Sequence, residues 1–139
     1  MKQKAKVLFY TKETEIVHIL LGKRTSGGDT FWWLPGGSIE EGEDPFQALI
    51  RELEEELTLG KTIRKVLEKY LQSGELPKQL RYVTPNAEYM VFMVQVPVVV
   101  INEKIEIVEE FDEVNWFDFS QMPGNMSREY EILKPLLNF

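Results

Sequence analysis

A glycine-rich turn that leads into an acidic amphipathic segment constrains this chain more than any other stretch. Residues 34–59 read LPGGSIEEGEDPFQALIRELEEELTL. They predict a helix that begins after Asp44, a good N-cap, with Pro45 in its first position. Apolar residues recur at the helical period along this segment: Phe46, Leu49, Ile50, Leu53 and Leu57. One stripe of the helix is therefore expected to be buried.

Three glutamates lie beside that stripe. Glu52, Glu55 and Glu56 stand at i, i+3 and i+4, which makes their side chains neighbours on one surface of the helix. Bare carboxylates about 4 Å apart repel by about 4 kcal/mol at an effective dielectric constant of about 20. A hard cation such as Mg²⁺ or Mn²⁺ relieves this repulsion and prefers carboxylate oxygens. The spacing favours a metal site over a solvated acidic face, with Arg51 expected to orient Glu43 and to leave the three glutamates free.

The same stretch resembles the Nudix box, written G-x5-E-x7-R-E-U-x-E-E-x-G-U, where U is a bulky aliphatic residue. The residues that fall on specified places between 37 and 59 are Gly37, Glu43, Arg51, Glu52, Leu53, Glu55, Glu56 and Leu59. Thr58 stands where the pattern has Gly. The flanking segments 33–37 and 113–117 also resemble those of the family. The chain is thus similar to the Nudix, or MutT-like, hydrolases.

This resemblance implies an α/β protein, namely a Nudix-type α/β/α sandwich with a mixed β-sheet in a single domain over residues 1–139. It implies that Glu52, Glu55, Glu56 and the carbonyl of Gly37 bind Mg²⁺ or Mn²⁺, with Glu43 in support. The implied reaction is hydrolysis of a phosphoanhydride bond in a nucleoside diphosphate linked to another moiety. A nucleoside triphosphate, a nucleotide sugar or a dinucleoside polyphosphate would qualify, and all three remain open.

The resemblance specifies the general base and the substrate contacts less closely than it specifies the metal ligands. Family members place the base either on the box helix, where Glu52 or Glu56 would serve, or in a later loop. The candidates in that loop are Glu109, Glu110 and Glu113. Arg24 is a candidate phosphate contact, with a simple surface charge as the alternative. Trp33 is a candidate for stacking on a base, against core packing as the alternative.

The departure at Thr58 bears on where the helix ends. Glycine there would take a left-handed conformation, which a β-branched residue disfavours, so the end is expected to move toward Gly60. Segment 62–72 is ambiguous between helix and strand, and the family resemblance favours strand.

The remaining segments are predicted from pattern. Strands are expected over 4–11, 15–21 and 114–117, with a short extended piece over 31–34 and a buried strand over 88–100 that is interrupted near Pro97. Segment 73–86 is predicted to be a long polar loop, and segment 125–138 an amphipathic closing helix.

Composition limits the class of protein. The chain has 139 residues, of which 43% are hydrophobic, enough for the core of one globular domain. It has no cysteine, which excludes disulfides and Cys-bound zinc and suits a reducing cytoplasm, the expected location. Its first residues lack the apolar core of a signal peptide, and its longest apolar run, 96–101, is too short to span a bilayer.

The net charge and the family resemblance bear on which partners the chain is expected to bind. The net charge of −7 disfavours tight binding to long nucleic acid, but a cation and a few local basic residues would still allow a nucleotide. Two rival functions remain: a non-catalytic nucleotide-sensing module, and an RNA 5′-end pyrophosphohydrolase, which would need a basic track beside the site. The family resemblance also allows a homodimer, although no segment marks the interface.

Overall fold

The computed structural model describes residues 1–139 as a mixed array of strands and helices. In chain order the elements are β1 (Lys2–Glu13), β2 (Ile16–Ser26), β3 (Asp29–Trp33), β4 (Gly36–Ser38), α1 (Pro45–Glu56), β5 (Leu57–Thr58), α2 (Lys61–Ser73), β6 (Lys78–Val83), β7 (Ala87–Gln95), β8 (Glu106–Ile107), β9 (Glu113–Asp118) and α3 (Tyr130–Leu133). Short 3₁₀ turns cover Val98–Asn102, Phe119–Gln121 and Lys134–Leu136. No helix has both the length and the apolar composition that crossing a bilayer requires.

The main sheet has seven strands and mixed direction. Its central path runs β3-β2-β1-β7-β6, while β4 pairs with β1 and β9 pairs with β2. The long strands β1 and β7 are parallel, and the other pairs are antiparallel. A separate two-stranded ribbon joins β5 to β8.

Alternation along β1 divides the interior into two cores, one on each face of the sheet. Val7 and Phe9 face the core that α1 and α2 cover, whereas Leu8 faces the core that includes Leu133 of α3. Helical segments therefore cover both faces of a mixed sheet. The predicted α/β/α sandwich is confirmed.

Helix α1 forms where the sequence predicts it. The Asp44 side chain accepts hydrogen bonds from the backbone N–H groups of Phe46 and Gln47, both at 3.1 Å. Satisfying these otherwise unpaired donors fixes the start of the helix. The predicted stripe is buried at Phe46, Leu49 and Leu53, with Leu57 buried just past the helix end.

The expected extension of this helix toward Gly60 is wrong. The helix ends at Glu56, and Leu57 is extended with φ −139°. Two contacts account for this: β5 pairs with β8, and the N–H groups of Val108 and Glu109 donate to the Glu56 carbonyl at 2.8 and 3.2 Å. Thr58 therefore lies in a strand and never needs the left-handed conformation that glycine would supply.

The strand favoured for segment 62–72 is also wrong, because this segment lies within α2. Ile63, Val66, Leu67 and Tyr70 follow the helical period and pack on the core shared with α1. Gly74 ends the helix at φ +75°, with its N–H donating to the Tyr70 carbonyl at 3.1 Å. The residue pattern contained the helical signal, and the family resemblance outweighed it.

Two further segments differ from expectation. The prediction of a loop over the whole of 73–86 is wrong, because this segment contains β6. An edge strand with polar side chains shows little apolar alternation, so the sequence pattern did not predict it. The closing helix predicted over 125–138 is reduced to Tyr130–Leu133 and a 3₁₀ turn. Its first part instead pairs with the edge of β3, since the Trp32 N–H donates to the Asn125 carbonyl and the Ser127 N–H donates to the Trp32 carbonyl.

The strand predicted over 88–100 is correct only to Gln95, where β7 ends. The chain then passes Pro97 into the 3₁₀ turn Val98–Asn102. The predicted strands in segments 4–11, 15–21, 31–34 and 114–117 lie within or overlap β1, β2, β3 and β9.

Candidate functional site

The glycine turn is fixed by its pairing with β1. Gly37 lies opposite Ala5, and the Val7 N–H donates to the Pro35 carbonyl at 3.0 Å on one side of this pair. On the other side, the Ile39 N–H donates to the Gln3 carbonyl at 2.9 Å. Hydrogen-bonded and non-hydrogen-bonded residue pairs alternate in an antiparallel ladder, so Gly37 and Ala5 form a hydrogen-bonded pair. The N–H and C=O groups of Gly37 therefore point toward β1. Those of Gly36 point away from it.

Glu56 is the most buried of the three box glutamates, with 2% of its surface exposed. Its Oε1 accepts from the Gly36 N–H at 3.1 Å, and its Oε2 accepts from Arg24 Nη2 at 3.0 Å. Burial raises the pKa of the Glu56 carboxyl, against the opposing effect of the Arg24 guanidinium. A carboxylate held in this way gains from any further cation that approaches it.

Two cationic side chains lie close to the Gly36 carbonyl oxygen. It accepts from Lys6 Nζ at 3.3 Å and lies 3.5 Å from Arg24 Nη2. Lys6 is 4% exposed, and burial lowers the pKa of its ammonium. This residue was absent from the candidates chosen from sequence. Alternation along β1 places Lys6 on the same side of the sheet as the buried Leu8, but no sequence motif connects it to the box.

Arg51 partly matches its predicted role. Its Nε and Nη2 donate to the two oxygens of Glu43 at 2.9 and 3.0 Å, and Nη2 also donates to the Ser38 carbonyl at 3.0 Å. Hydrogen bonds from Arg51 lower the pKa of Glu43 to about 2. The expectation that the other glutamates are free of Arg51 is wrong, because its Nη1 lies 3.2 Å from Glu52 Oε1 and 3.4 Å from Glu55 Oε1.

The site residues fit a divalent cation in kind but are not gathered around one position. No group of three or more acidic or histidine side chains is arranged to hold a metal ion. Instead, Arg24 pairs with Glu56, and Arg51 contacts Glu52 and Glu55 in addition to Glu43. The donor chemistry is suitable, since carboxylate and backbone carbonyl oxygens are the ligands that Mg²⁺ and Mn²⁺ prefer. Arg51 Nη1 contacts only Oε1 of Glu52 and Oε1 of Glu55, so Oε2 of each carboxylate is not engaged by this arginine.

The position of Gly37 supports this fit. A Cβ atom added to Gly37 would lie 2.4 Å from Glu52 Cδ, so only glycine leaves room for this carboxylate against the turn. Burial raises the pKa of Glu56, and repulsion from the Glu52 carboxylate adds to this effect. Of the two glycine carbonyls, that of Gly36 faces the charged groups, whereas the predicted ligand, the Gly37 carbonyl, points toward β1.

The other predicted residues are Arg24, Trp33 and the three loop glutamates, and they differ in how they contact the box. Arg24 joins the box through Glu56. Trp33 is 4% exposed and packs edge-on against Tyr130 at a centroid distance of 6.4 Å, so its ring is not presented for stacking. Among the loop glutamates, Glu110 Oε2 lies 3.9 Å from Arg24 Nη1, while Glu113 Oε2 is paired with Lys23 Nζ at 2.9 Å. Glu109 contacts the box only through its backbone.

Comparison with known proteins identifies the family of this chain. A family model described as NUDIX domain matches residues 2–137. An RNA pyrophosphohydrolase of Pelagibacter ubique (strain HTCC1062) is 40% identical over 63 residues, which is 45% of this chain and 39% of that protein. An 8-oxo-dGTP diphosphatase of Proteus vulgaris is 53% identical over 32 residues, or 23% of this chain and 29% of that protein. The chain thus aligns with well under half the length of either relative.

A solved structure shows the same fold. It is a bifunctional NMN adenylyltransferase/ADP ribose pyrophosphatase from Francisella tularensis, complexed with AMP and a Mn ion. The match has a TM-score of 0.64 and 22% sequence identity, and covers 97% of this chain and 40% of that chain. At this identity the likeness concerns the fold alone.

Proposed function

The chain belongs to the NUDIX domain family, and from this premise we propose that it is a hydrolase that cleaves a phosphoanhydride bond in a nucleotide. The observation that carries the proposal is the carboxylate set at the end of α1, of which Glu52 and Glu56 lie against the Gly36–Gly37 turn. Like charges three and four residues apart destabilise a helix, so this concentration of carboxylates favours a bound cation. Family membership supports a hydrolase acting on pyrophosphate bonds.

The proposed substrate is a nucleoside diphosphate linked to a further group. A nucleoside triphosphate, a nucleotide sugar and a dinucleoside polyphosphate all carry the required bond. The relative named 8-oxo-dGTP diphosphatase supports a nucleoside triphosphate. The relative named RNA pyrophosphohydrolase supports a second candidate, a triphosphorylated RNA 5′ end, although the net charge of −7 argues against binding a long RNA.

The proposed cofactor is Mg²⁺ or Mn²⁺, held by Glu52, Glu55, Glu56 and a backbone carbonyl of the Gly36–Gly37 turn. When bound, such an ion withdraws charge from the phosphates and lowers the pKa of a coordinated water. The chain's own residues supply the rest. Arg24 lies beside the box with a guanidinium suited to a phosphate oxygen. Arg51 ties Glu43 to the Ser38 carbonyl and so holds the entry to α1 against the turn.

A general base is needed to take the proton of the attacking water. Of the loop glutamates, Glu110 is the best placed, because it reaches toward Arg24 and has 52% of its side chain exposed. Glu110 also holds a left-handed backbone with φ +76°, a strained conformation for a residue other than glycine. We therefore favour Glu110 over Glu109 and Glu113, with Glu52 and Glu56 of the helix as the alternatives.

Replacing Glu110 with Gln should lower kcat by about 10²- to 10⁴-fold, because the substitution removes the proton acceptor. The effect on KM should be small, since the Glu110–Arg24 pair is 3.9 Å long and Glu110 is half exposed. The matched controls are Glu109→Gln and Glu113→Gln, which should each retain most of the wild-type kcat. Steady-state kinetics on the three variants makes the comparison. An unchanged kcat in Glu110→Gln would move the base to the box helix.

A substrate panel tests the proposed function itself. The protein is incubated with Mg²⁺ and nucleoside triphosphates, nucleotide sugars, dinucleoside polyphosphates or a 5′-triphosphorylated oligoribonucleotide, and released phosphate or pyrophosphate is measured. We expect turnover of at least one small nucleotide and none when EDTA replaces Mg²⁺. Metal-dependent binding of a nucleotide without turnover of any panel member would instead identify a sensing module.

A further inference from the structure

The orientation of Arg24 depends on a loop that the box pattern does not include. The Arg24 guanidinium contacts three oxygen atoms: Glu56 Oε2 at 3.0 Å, the Gly36 carbonyl at 3.5 Å and Glu110 Oε2 at 3.9 Å. Its Nε is buried and has no hydrogen-bond partner. These three contacts involve only Nη1 and Nη2, so they do not fix the Nε side of the guanidinium.

The ring of Phe111 lies on that guanidinium. Arg24 Cζ is 4.7 Å from the ring centroid, within the range of a cation–π contact. Phe111 is itself fixed, with 6% of its surface exposed in the core that α1 and α2 share. The ring face carries a negative potential that attracts the half-buried guanidinium.

Gly22 makes the room for this ring. It lies two residues before Arg24 in β2 and therefore on the same face of the strand. A Cβ atom at Gly22 would lie 2.3 Å from Phe111 Cδ1 and 2.4 Å from Cε1. No larger residue fits at this position while the ring keeps its place under Arg24.

The loop that carries Phe111 is anchored on both sides of the ring. Before it, the N–H groups of Val108 and Glu109 donate to the Glu56 carbonyl at the end of α1. After it, the Asp112 N–H donates to the Lys23 carbonyl at 2.8 Å, and Thr25 Oγ1 donates to Asp112 Oδ2 at 2.7 Å. The ring is thus held relative to both the helix with the carboxylates and the strand with Arg24.

We propose that Phe111 is a positioning residue, which packs between Gly22 and the Arg24 guanidinium and aims that guanidinium at Glu56 and at the phosphates of the substrate. The effect on turnover rests on the proposed hydrolase function. The contact between ring and guanidinium does not, and it is tested separately below.

The first measurement observes Arg24 directly. In a ¹H–¹⁵N correlation spectrum, the Arg24 Nε–Hε signal is assigned by its loss in Arg24→Lys. A proton over a ring face is shifted upfield by the ring current, so the wild-type signal should lie upfield of the other arginine signals. It should move downfield in Phe111→Leu and in Gly22→Ala. The matched controls are Phe46→Leu, in the same core, and Gly124→Ala, which has open space around it; both should leave the signal in place.

The second measurement is kinetic. Phe111→Leu should raise KM for the nucleotide by about 3- to 10-fold and leave kcat nearly unchanged, since a misaimed guanidinium weakens phosphate binding. In an Arg24→Met background the same substitution should add nothing. If Phe111→Leu does not fold, Gly22→Ala is used in its place.

An Arg24 signal that does not move in Phe111→Leu would overturn the proposal, as would a moved signal with an unchanged KM or an equal rise of KM in Phe46→Leu. If the wild type turns over no nucleotide, the proposed hydrolase function fails while the spectral test still stands. The dissociation constant of inorganic pyrophosphate, measured by calorimetry, then takes the place of KM.

Discussion

Replacing Glu56 with Gln is expected to reduce turnover by about 10³-fold, comparable to the loss of a preorganised electrostatic contact in other active sites. Gln has nearly the same shape and can still accept from the Gly36 N–H, so the fold around the turn should remain. The charge is lost, and with it the attraction for a cation and the ion pair with Arg24. Initial rates under saturating nucleotide and Mg²⁺ measure the effect, with circular dichroism to confirm the fold.

Glu54 supplies the matched control, because it belongs to the same acidic run but lies on the exposed side of α1, beside the groove between α1 and α2. Glu54→Gln makes the same chemical change and should leave turnover within about 2-fold of wild type, as is usual for a surface substitution. Comparable losses in the two variants would show that the acidic run acts as a whole through net charge, and the site assignment would fail.

Replacing Gly36 with Ala should lower the free energy of unfolding by about 2–4 kcal/mol, the largest stability effect that we expect from a single methyl group in this protein. Gly36 has φ +129°, a conformation that an L-residue rarely adopts, and the added Cβ would lie 2.2 Å from the Ala5 carbonyl oxygen. That oxygen belongs to the backbone of a central strand, so it cannot move aside at low cost. Urea unfolding measures the difference.

Gly27→Ala separates the two causes. Gly27 also has a positive φ, +59°, but a Cβ there would meet nothing within 4 Å. This variant should lose only about 1 kcal/mol, the cost of the backbone conformation. If Gly36→Ala lost no more than Gly27→Ala, the close approach of the turn to β1 would not be the constraint that we describe.

The sequence was sufficient for the parts of the fold that depend on local pattern. Asp44 and Pro45 predicted the start of α1, and the apolar stripe from Phe46 to Leu53 predicted its buried face. Helix α2 was not determined in this way, because the pattern of segment 62–72 was ambiguous between helix and strand. The family resemblance then favoured strand, although Ile63, Val66 and Tyr70 recur at the helical period.

Other features depend on contacts between distant segments, which no local pattern reports. The end of α1 is set by Val108 and Glu109, about fifty residues further along the chain. The reach of Arg51 to Glu52 and Glu55 depends on a side-chain conformation. The choice of the Gly36 carbonyl over that of Gly37 depends on which pairs of the β1–β4 ladder are hydrogen-bonded.

The candidate site was predicted as a set of residues but not as an arrangement. Glu52 and Glu56 lie against the glycine turn as expected, yet two arginines contact the carboxylates that were expected to be free. Arg24 was identified only as a phosphate contact, and its ion pair with Glu56 connects it to the box. The structure therefore adds a contact that the sequence did not predict, because Arg51 Nη1 reaches Oε1 of Glu52 and Oε1 of Glu55.

The most direct test of the account is the binding of Mn²⁺ without nucleotide, measured by titration calorimetry on the wild type, Glu56→Gln and Glu54→Gln. The wild type and Glu54→Gln should bind Mn²⁺ with similar dissociation constants, and Glu56→Gln should bind it at least about 10-fold more weakly, the loss expected when one partner of a charge-assisted contact is removed. Equal binding by all three proteins would contradict the claim that the carboxylates of α1 hold the metal.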